Sequence, residues 1–440
     1  MSCRSGIKPG VRHYRYNGEE EIAKISMIPE LLSSVTRRQG RKFCHLSPTI
    51  DESVSNAAGL GGAGISLYVH IPFCRSLCPF CCFNRYLFRE DRARRYFIDL
   101  GKELEFYIRR GFNFSSIYFG GGTPTVLMDE LTAFIGRLRA QFDVGEISLE
   151  TTPRELTEQN VELLREAGIN RLSIGVQSFD EQILRTMGRI NGPADEVRRR
   201  LLMAQGQFDT LNVDFVFNFP GQTVEQFAAD VSVFKELGID QATFYPLMAS
   251  PHKKDALERR FNTVDISQEK RFYDVILRQL YHGGYNASTV WCFSRGEHSI
   301  DEYIIDFDDY IGIGSGSVSI VGGNFYVNSF SLDRYHEMVA AGSLPVIGWR
   351  RLSGRENLRY YLLTKLFGME LDAGKFHSRF SAAIERKLWV ELAFLKAFGL
   401  VSGDGRLRVT ERGMYPVSVM MREFFAALNT LRERCIERQV

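Results

Sequence analysis

From about residue 66 the chain alternates short runs of β-branched and aromatic residues with longer stretches whose apolar positions recur at helical spacing. The runs are SLYVHI (66–71), SSIYFG (115–120), EISLET (146–151), RLSIGV (171–176), LNVDFVF (211–217) and QATFYP (241–246). Amphipathic segments lie between them at 91–110, 128–140, 157–167, 195–207 and 224–237, with start signals such as TEQNVE and TVEQF. That order predicts parallel strands joined by helices. Gly and Pro gather where the strands end, in HIPFC, FGGGTPT, FNFPGQT and YPLMASP. In a parallel barrel those ends share one mouth, where such folds place their chemistry. The expected fold is α/β, a partial (β/α)6 barrel with adjoining strands over 66–330.

Two further regions flank it. Residues 1–65 have no clear period and end in GLGGAG, a join, so they are expected to form an N-terminal extension or lid. Beyond 250 a helical stretch (267–283) precedes β-like runs in VWCF and YIGIGSGSVSIVGGNFYVNSF. The region 331–440 reads as helices plus FGLVSGDGRLRVTERG, in which Asp404-Gly405 marks a hairpin. A small, mainly helical, winged-helix-like C-terminal domain is expected there. No solenoid repeat or low-complexity tract is present.

Composition narrows the partners. Lys+Arg at 55 against Asp+Glu at 53 leave a net charge of +2, so nothing global draws the chain to nucleic acid. The N-terminus is polar and lacks the apolar core of a signal peptide, and no run approaches the roughly 18 apolar residues of a spanning helix. The expected location is the cytoplasm, where thiols stay reduced and clustered cysteines read first as metal ligands or redox groups. Four of the eight cysteines, Cys74, Cys78, Cys81 and Cys82, fall within YVHIPFCRSLCPFCCFNRY.

Cys74, Cys78 and Cys81 follow C-x3-C-x2-C on a loop directly after a strand. Three thiolates can hold a cubane cluster of four irons and leave one iron open, which favours chemistry at the metal over simple electron transfer. A zinc site with Cys82 or a distant residue as fourth ligand is the competing arrangement, one that adjacent cysteines serve poorly. The motif, with Phe80 as its aromatic, resembles the signature of radical S-adenosylmethionine (SAM) enzymes. YVHIPFC ahead of it resembles the oxygen-independent coproporphyrinogen III dehydrogenase-like branch. So do YFGGGTPT, LETTPRELT, GINRLSIGVQSFDEQILRTMGR, NVDFVFNFPGQT and IGIGSGS, in order over roughly 66–330.

The resemblance implies two cofactors, a 4Fe-4S cluster and SAM, whose reductive cleavage releases a 5'-deoxyadenosyl radical. It also implies a reducing partner such as flavodoxin or ferredoxin. Among cofactor contacts it implies Phe80, then Gly121, Gly122 and Thr123 in GGGT, where glycine lets backbone approach the ligand amino group. Glu150 and Asp214 are implied at the amino or ribose groups, an ion pair with Arg171 being the bland reading of each. Gln177 and Arg189 are implied to hold SAM, with Arg189 suited to its carboxylate. Tyr68 is implied beside the sulfonium and is the catalytic candidate, while His70 reads as structural. IGIGSGS, with Ile313, offers a backbone strip near the adenine or a tight turn.

Phe83 stands where coproporphyrinogen dehydrogenases carry a further cysteine. An aromatic there resembles the class C radical methyltransferases and the heme chaperones. The chaperones' H-N-x-x-Y-W motif has no equal in HSIDEYIIDFDDYIGIG. The expected reaction is therefore methylation of an sp2 carbon of an aromatic or quinone ring with two SAM molecules, menaquinone C8 first. Oxygen-independent coproporphyrinogen III oxidation is the alternative, and a heme chaperone the third reading. The substrate is expected to be a quinone or porphyrin-like ring, which YPVSVMMREFF in the tail could cover unless that stripe is simply core. GWRRLSGRENLRYYLLTKLF (348–367) offers a peripheral membrane contact, with a solvated helix face as its other reading.

Overall fold

The computed structural model describes residues 18–47, 65–189, 191–248, 250–261, 265–296 and 309–440. The GLGGAG join and residues 298–308 of the HSIDEY stretch lie outside them. All six expected strands form: β1 (Ile65–Ile71), β2 (Phe114–Gly121), β3 (Glu146–Thr151), β4 (Arg171–Gln177), β5 (Thr210–Phe217) and β6 (Gln241–Pro246). They lie side by side in chain order, each pair parallel. Every residue of β1 is buried, as a strand covered on both faces requires.

Before β1 stands α1 (Gly18–Phe43), and the crossovers are α2 (Glu90–Arg109), α3 (Met128–Gln141), α4 (Glu158–Glu166), α5 (Glu181–Thr186), α6 (Ala194–Ala204) and α7 (Val224–Leu237). TVEQF becomes a reciprocal capping box between Thr223 and Gln226, and α7 stops at Gly238 in the left-handed region.

The sheet continues past the six strands. β7 (Asn286–Ala287), β8 (Cys292–Ser294), β9 (Tyr310–Ile313), β10 (Val318–Val321), β11 (Asn324–Asn328) and β12 (Val346–Arg351) extend it in the order β12-β11-β10-β9-β1-β2-β3-β4-β5-β6-β8-β7. β9 is parallel to β1, and β10 to β12 run on as an antiparallel meander.

Three helices matter for the site: α8 (Glu269–Ile276), α9 (Gly354–Phe367) and α10 (Glu411–Glu437). Between α9 and α10 a small antiparallel sheet forms from β13 (Glu370–Asp372), β14 (Val401–Ser402) and β15 (Arg406–Val409), with the Asp404-Gly405 turn joining the last two. In the 348–367 segment Leu362, Leu363, Leu366 and Phe367 are buried, so its apolar side faces the protein interior.

α1 and α10 pack closely, since a Cβ on Gly40 would come within 2.8 Å of the Ala427 Cβ. An ionic network, buried at Glu269, Arg422 and Glu423, ties α1, α8 and α10. Arg37 Nε donates to Glu423 at 2.8 Å, Ser33 donates to the other Glu423 oxygen at 3.0 Å, and Arg422 bonds both Glu269 and Glu423. Burial alone would raise Glu423, but the bonds from Arg37 and Arg422 outweigh it and lower its pKa. At the end of α1, Phe43 packs against Phe325, Tyr360 and Phe424, at centroid distances of 4.7, 5.6 and 5.2 Å.

Candidate active site

The chain leaves β1 into the cysteine loop. Phe73–Cys74 pairs in parallel with Tyr86–Leu87, so the loop is pinned at both ends. Within it, Cys81 N donates to Cys78 O at 3.2 Å, and Arg85 donates to the same carbonyl. The Thr123 hydroxyl lies 3.7 Å from Cys74 Sγ, and Arg189 Nη1 lies 3.8 Å from Cys78 Sγ. Cys82 differs, because its Sγ is 3.6 Å from the carbonyls of Phe80 and Met248, which turns it away from the trio.

His70 holds the loop from beneath. Its Nε2 is 2.9 Å from Asn84 O, which can only accept, so Nε2 carries the proton and Nδ1 accepts from the Tyr68 hydroxyl at 2.9 Å. Burial pushes His70 down to about 4, keeping the ring neutral. Asn84 Nδ2 in turn donates to Ser315 O and Oγ, both at 3.1 Å. Gly316, at φ +83°, sits where a Cβ would come within 2.5 Å of the Asn84 Cβ. IGIGSGS is thus a clasp behind the loop. Ile313, expected among cofactor contacts, is fully buried in register with Val69 and lies off the cavity, because β9 uses this segment as a sheet strand.

The remaining expected residues meet at the mouth. Tyr68, Cys74, Cys78, Phe80, Cys81, Gly121, Gly122, Thr123, Glu150, Gln177, Arg189 and Asp214 all line one cavity of about 320 Å³. Gly122 N and Thr123 N are committed to the carbonyls of Ile71 and Phe73, both at 2.8 Å. Glu150 accepts from the Tyr118 hydroxyl at 2.9 Å and from Gly121 N at 3.1 Å. Asp214 accepts from Ser173 and Asn212, both at 2.8 Å, and burial raises its pKa although Arg171 and Arg189 act against this. Arg171 Nε donates to Gln241. Gln177 stands at φ 73° where β4 slips register against β5, an unusual backbone state for a non-glycine residue. Phe80 packs edge-on against Phe219, centroids 5.8 Å apart.

Sequence reasoning reached only part of the opposite wall, Met421, Phe424 and Phe425 within YPVSVMMREFF. Phe43 from α1, Tyr360 and Thr364 from α9, and Met421, Phe424, Phe425, Leu428, Asn429 and Arg432 from α10 close the cavity over the barrel. The signal was the helical spacing of 421, 424, 425, 428, 429 and 432, which is equally that of an ordinary core stripe.

The donor set fits an iron–sulfur cluster. Burial, and then the neighbouring thiols of Cys81 and Cys78, push Cys74 up to about 11 against the bond from Thr123. Grouped sulfurs in such surroundings deprotonate when a metal supplies the positive charge. Among the described residues no three His, Cys, Asp or Glu side chains close on a single ion. A cubane instead takes each cysteine on a different iron. Half-buried carboxylates that accept from neutral donors, with Arg189 lining the same cavity, suit a ligand carrying ammonium, hydroxyl and carboxylate groups together.

The family model described as the radical SAM superfamily matches residues 68–234. That match spans the six-stranded barrel from β1 into α7. A 4Fe-4S cluster and SAM are that family's cofactors. Among curated relatives, the heme chaperone HemW of Bacillus subtilis is 26% identical over 337 residues, covering 73% of this chain and 88% of HemW. The oxygen-independent coproporphyrinogen III oxidase of Helicobacter pylori is 28% identical over 396 residues, covering 83% of this chain and 86% of the relative. Among solved structures, coproporphyrinogen III oxidase (HemN) from Escherichia coli, a radical SAM enzyme, superposes with a TM-score of 0.74 at 24% identity, over 86% of this chain and 94% of that one. The mixed α/β fold with its helical C-terminal region is therefore the HemN-like one.

These relatives overturn the expected methyl transfer to a quinone, since they carry chaperone and oxidase names over 73% and 83% of the chain. The expectation rested on Phe83, and the structure shows why that position misleads. The Phe83 ring lies under the Arg432 guanidinium, 4.9 Å from its carbon. Its identity therefore answers to the packing of the C-terminal helix and is no sign of methyl transfer.

Proposed function

We propose that this protein is a radical SAM oxidoreductase that oxidises a coproporphyrinogen-like tetrapyrrole without oxygen. One observation carries the reading: the cavity places the cysteine trio against an apolar wall that also holds cations. Trp291, Phe325, Phe424 and Phe425 line it together with Arg75, Arg154 and Arg432. A tetrapyrrole is a broad apolar ring bearing carboxylate arms, and such a wall matches both properties. The similarity to coproporphyrinogen III oxidases over more than four-fifths of the chain agrees with it. The cofactors supply the hydrogen-abstracting radical, while the chain orients the ring and excludes water beneath α10. Cytoplasmic location and a flavodoxin- or ferredoxin-like donor belong to this reading. No helix of the described residues is long and apolar enough to cross a membrane.

The test is anaerobic reconstitution with SAM, a reductant and coproporphyrinogen III, followed by mass analysis. A tetrapyrrole lighter by carbon dioxide and two hydrogens for each oxidised arm supports the proposal. The similarity to HemW raises a second reading, heme binding. Tight retention of heme with no SAM-dependent change in the tetrapyrrole would favour that reading and defeat the first.

A further inference from the structure

Arg432 is held differently from Arg75 and Arg189, which also line the cavity. Arg75 is answered by Glu155 at 2.6 Å. Arg189 is engaged by Gly175 O, Asn191 and Cys78. Arg432 is half-buried, and among the described residues no carboxylate pairs with it. It is nonetheless fixed in place. Its guanidinium stacks on Phe83, and Nη1 donates to Asn429 Oδ1 at 2.9 Å. The Asn429 amide is itself oriented by donating to Met248 O at 2.6 Å. A half-buried cation whose plane is set by an aromatic face, with most of its five N–H groups free, is organised for a bidentate anion. Phe83 is two residues beyond Cys81, so an anion held there lies over the cysteine loop.

We propose that Arg432, stacked on Phe83, is the subsite for one carboxylate arm of the substrate. The nature of the ring rests on the tetrapyrrole reading above, whereas the carboxylate chemistry rests on the Arg432 geometry alone. This also gives Phe83 a role in the position where related dehydrogenases carry cysteine: it is the platform that aims the guanidinium.

The experiment measures binding to the full-length, anaerobically reconstituted protein. The probes are coproporphyrin III and its tetramethyl ester, and 2-naphthoate and its methyl ester. The wild type is expected to favour each acid over its ester by about tenfold or more; Arg432→Ala should abolish that preference for the one-carboxylate naphthoate pair and lower it several-fold for the porphyrin pair, while ester binding persists. Arg432→Lys should keep part of the preference, and Phe83→Leu should lower it several-fold by freeing the guanidinium. An unchanged preference in Arg432→Ala, or equal weakening of acid and ester, would overturn the subsite. If the naphthoate pair shows the Arg432-dependent preference but coproporphyrin does not bind the wild type, the subsite stands and the tetrapyrrole reading falls. If coproporphyrin binds wild type and Arg432→Ala alike, the ring reading stands and the subsite falls.

Discussion

The barrel floor and the helical roof of the cavity are assembled by different physics. On the floor, polar side chains are fixed by near neighbours on adjacent strands and turns: Glu150 by Tyr118 and Gly121 N, Asp214 by Ser173 and Asn212, His70 by Tyr68 and Asn84. The roof is held by contacts hundreds of residues apart, such as Arg37 with Glu423 and Phe43 with Phe325 and Phe424. The floor is thus organised for the cofactors whatever the substrate. Changes in the roof alter what is held there, and the radical chemistry below stays the same.

The sharpest way to break this division is at the cysteines. Cys81→Ala should abolish both cluster absorbance and SAM cleavage, while Cys82→Ala, whose thiol faces the carbonyls of Phe80 and Met248, should spare both. Loss in Cys82→Ala with an active Cys81→Ala would reverse the ligand assignment.

Next in size is the roof's ionic network. Arg422→Ala leaves Glu269 and Glu423 buried without their shared cation, at 3% and 5% exposure. About 3–5 kcal/mol of stability should be lost, read as a lower unfolding midpoint. Cluster loading at low temperature should survive, because the network lies outside the floor.

A pH series separates the floor's buried groups. His70 is pushed down to about 4 from an ordinary 6.5, so only the unfolded chain takes up its proton between those values. Its contribution is complete above pH 6.5 and falls by about 3 kcal/mol as pH drops toward 4. Glu103, pushed up to about 7 by burial against bonds from Tyr335, Gly314 N and Asn328, runs the other way. The folded state keeps that proton, so its contribution falls as pH rises from about 4.5 to 7. In His70→Asn the first slope should vanish, and unfolding midpoints should decline with rising pH relative to wild type. A variant whose pH profile parallels the wild type would refute the assignment.

The smallest expected effect is at the clasp. Gly316→Ala puts a Cβ against Asn84 at a positive φ, costing about 1–3 kcal/mol. It should weaken cluster retention more than overall stability. Equal loss of both would mean that the clasp supports the fold alone.

Much of the floor was legible in the sequence because its parts are local. A C-x3-C-x2-C loop follows a strand, GGGT ends the next, and Glu150 and Asp214 lie within strands whose alternation is plain. Period and spacing are properties of contiguous residues, so the chain alone determined six parallel strands, their common mouth and a trio of thiols fit for iron. Only tertiary structure decided that α1 and α10 close that mouth, that IGIGSGS clasps the loop, and that Phe83 carries Arg432. Those facts depend on which distant surfaces meet. An apolar helical stripe has the same pattern whether it covers a core or a substrate, and an aromatic beside a cysteine motif reads the same until its partner, some 350 residues away, is folded onto it.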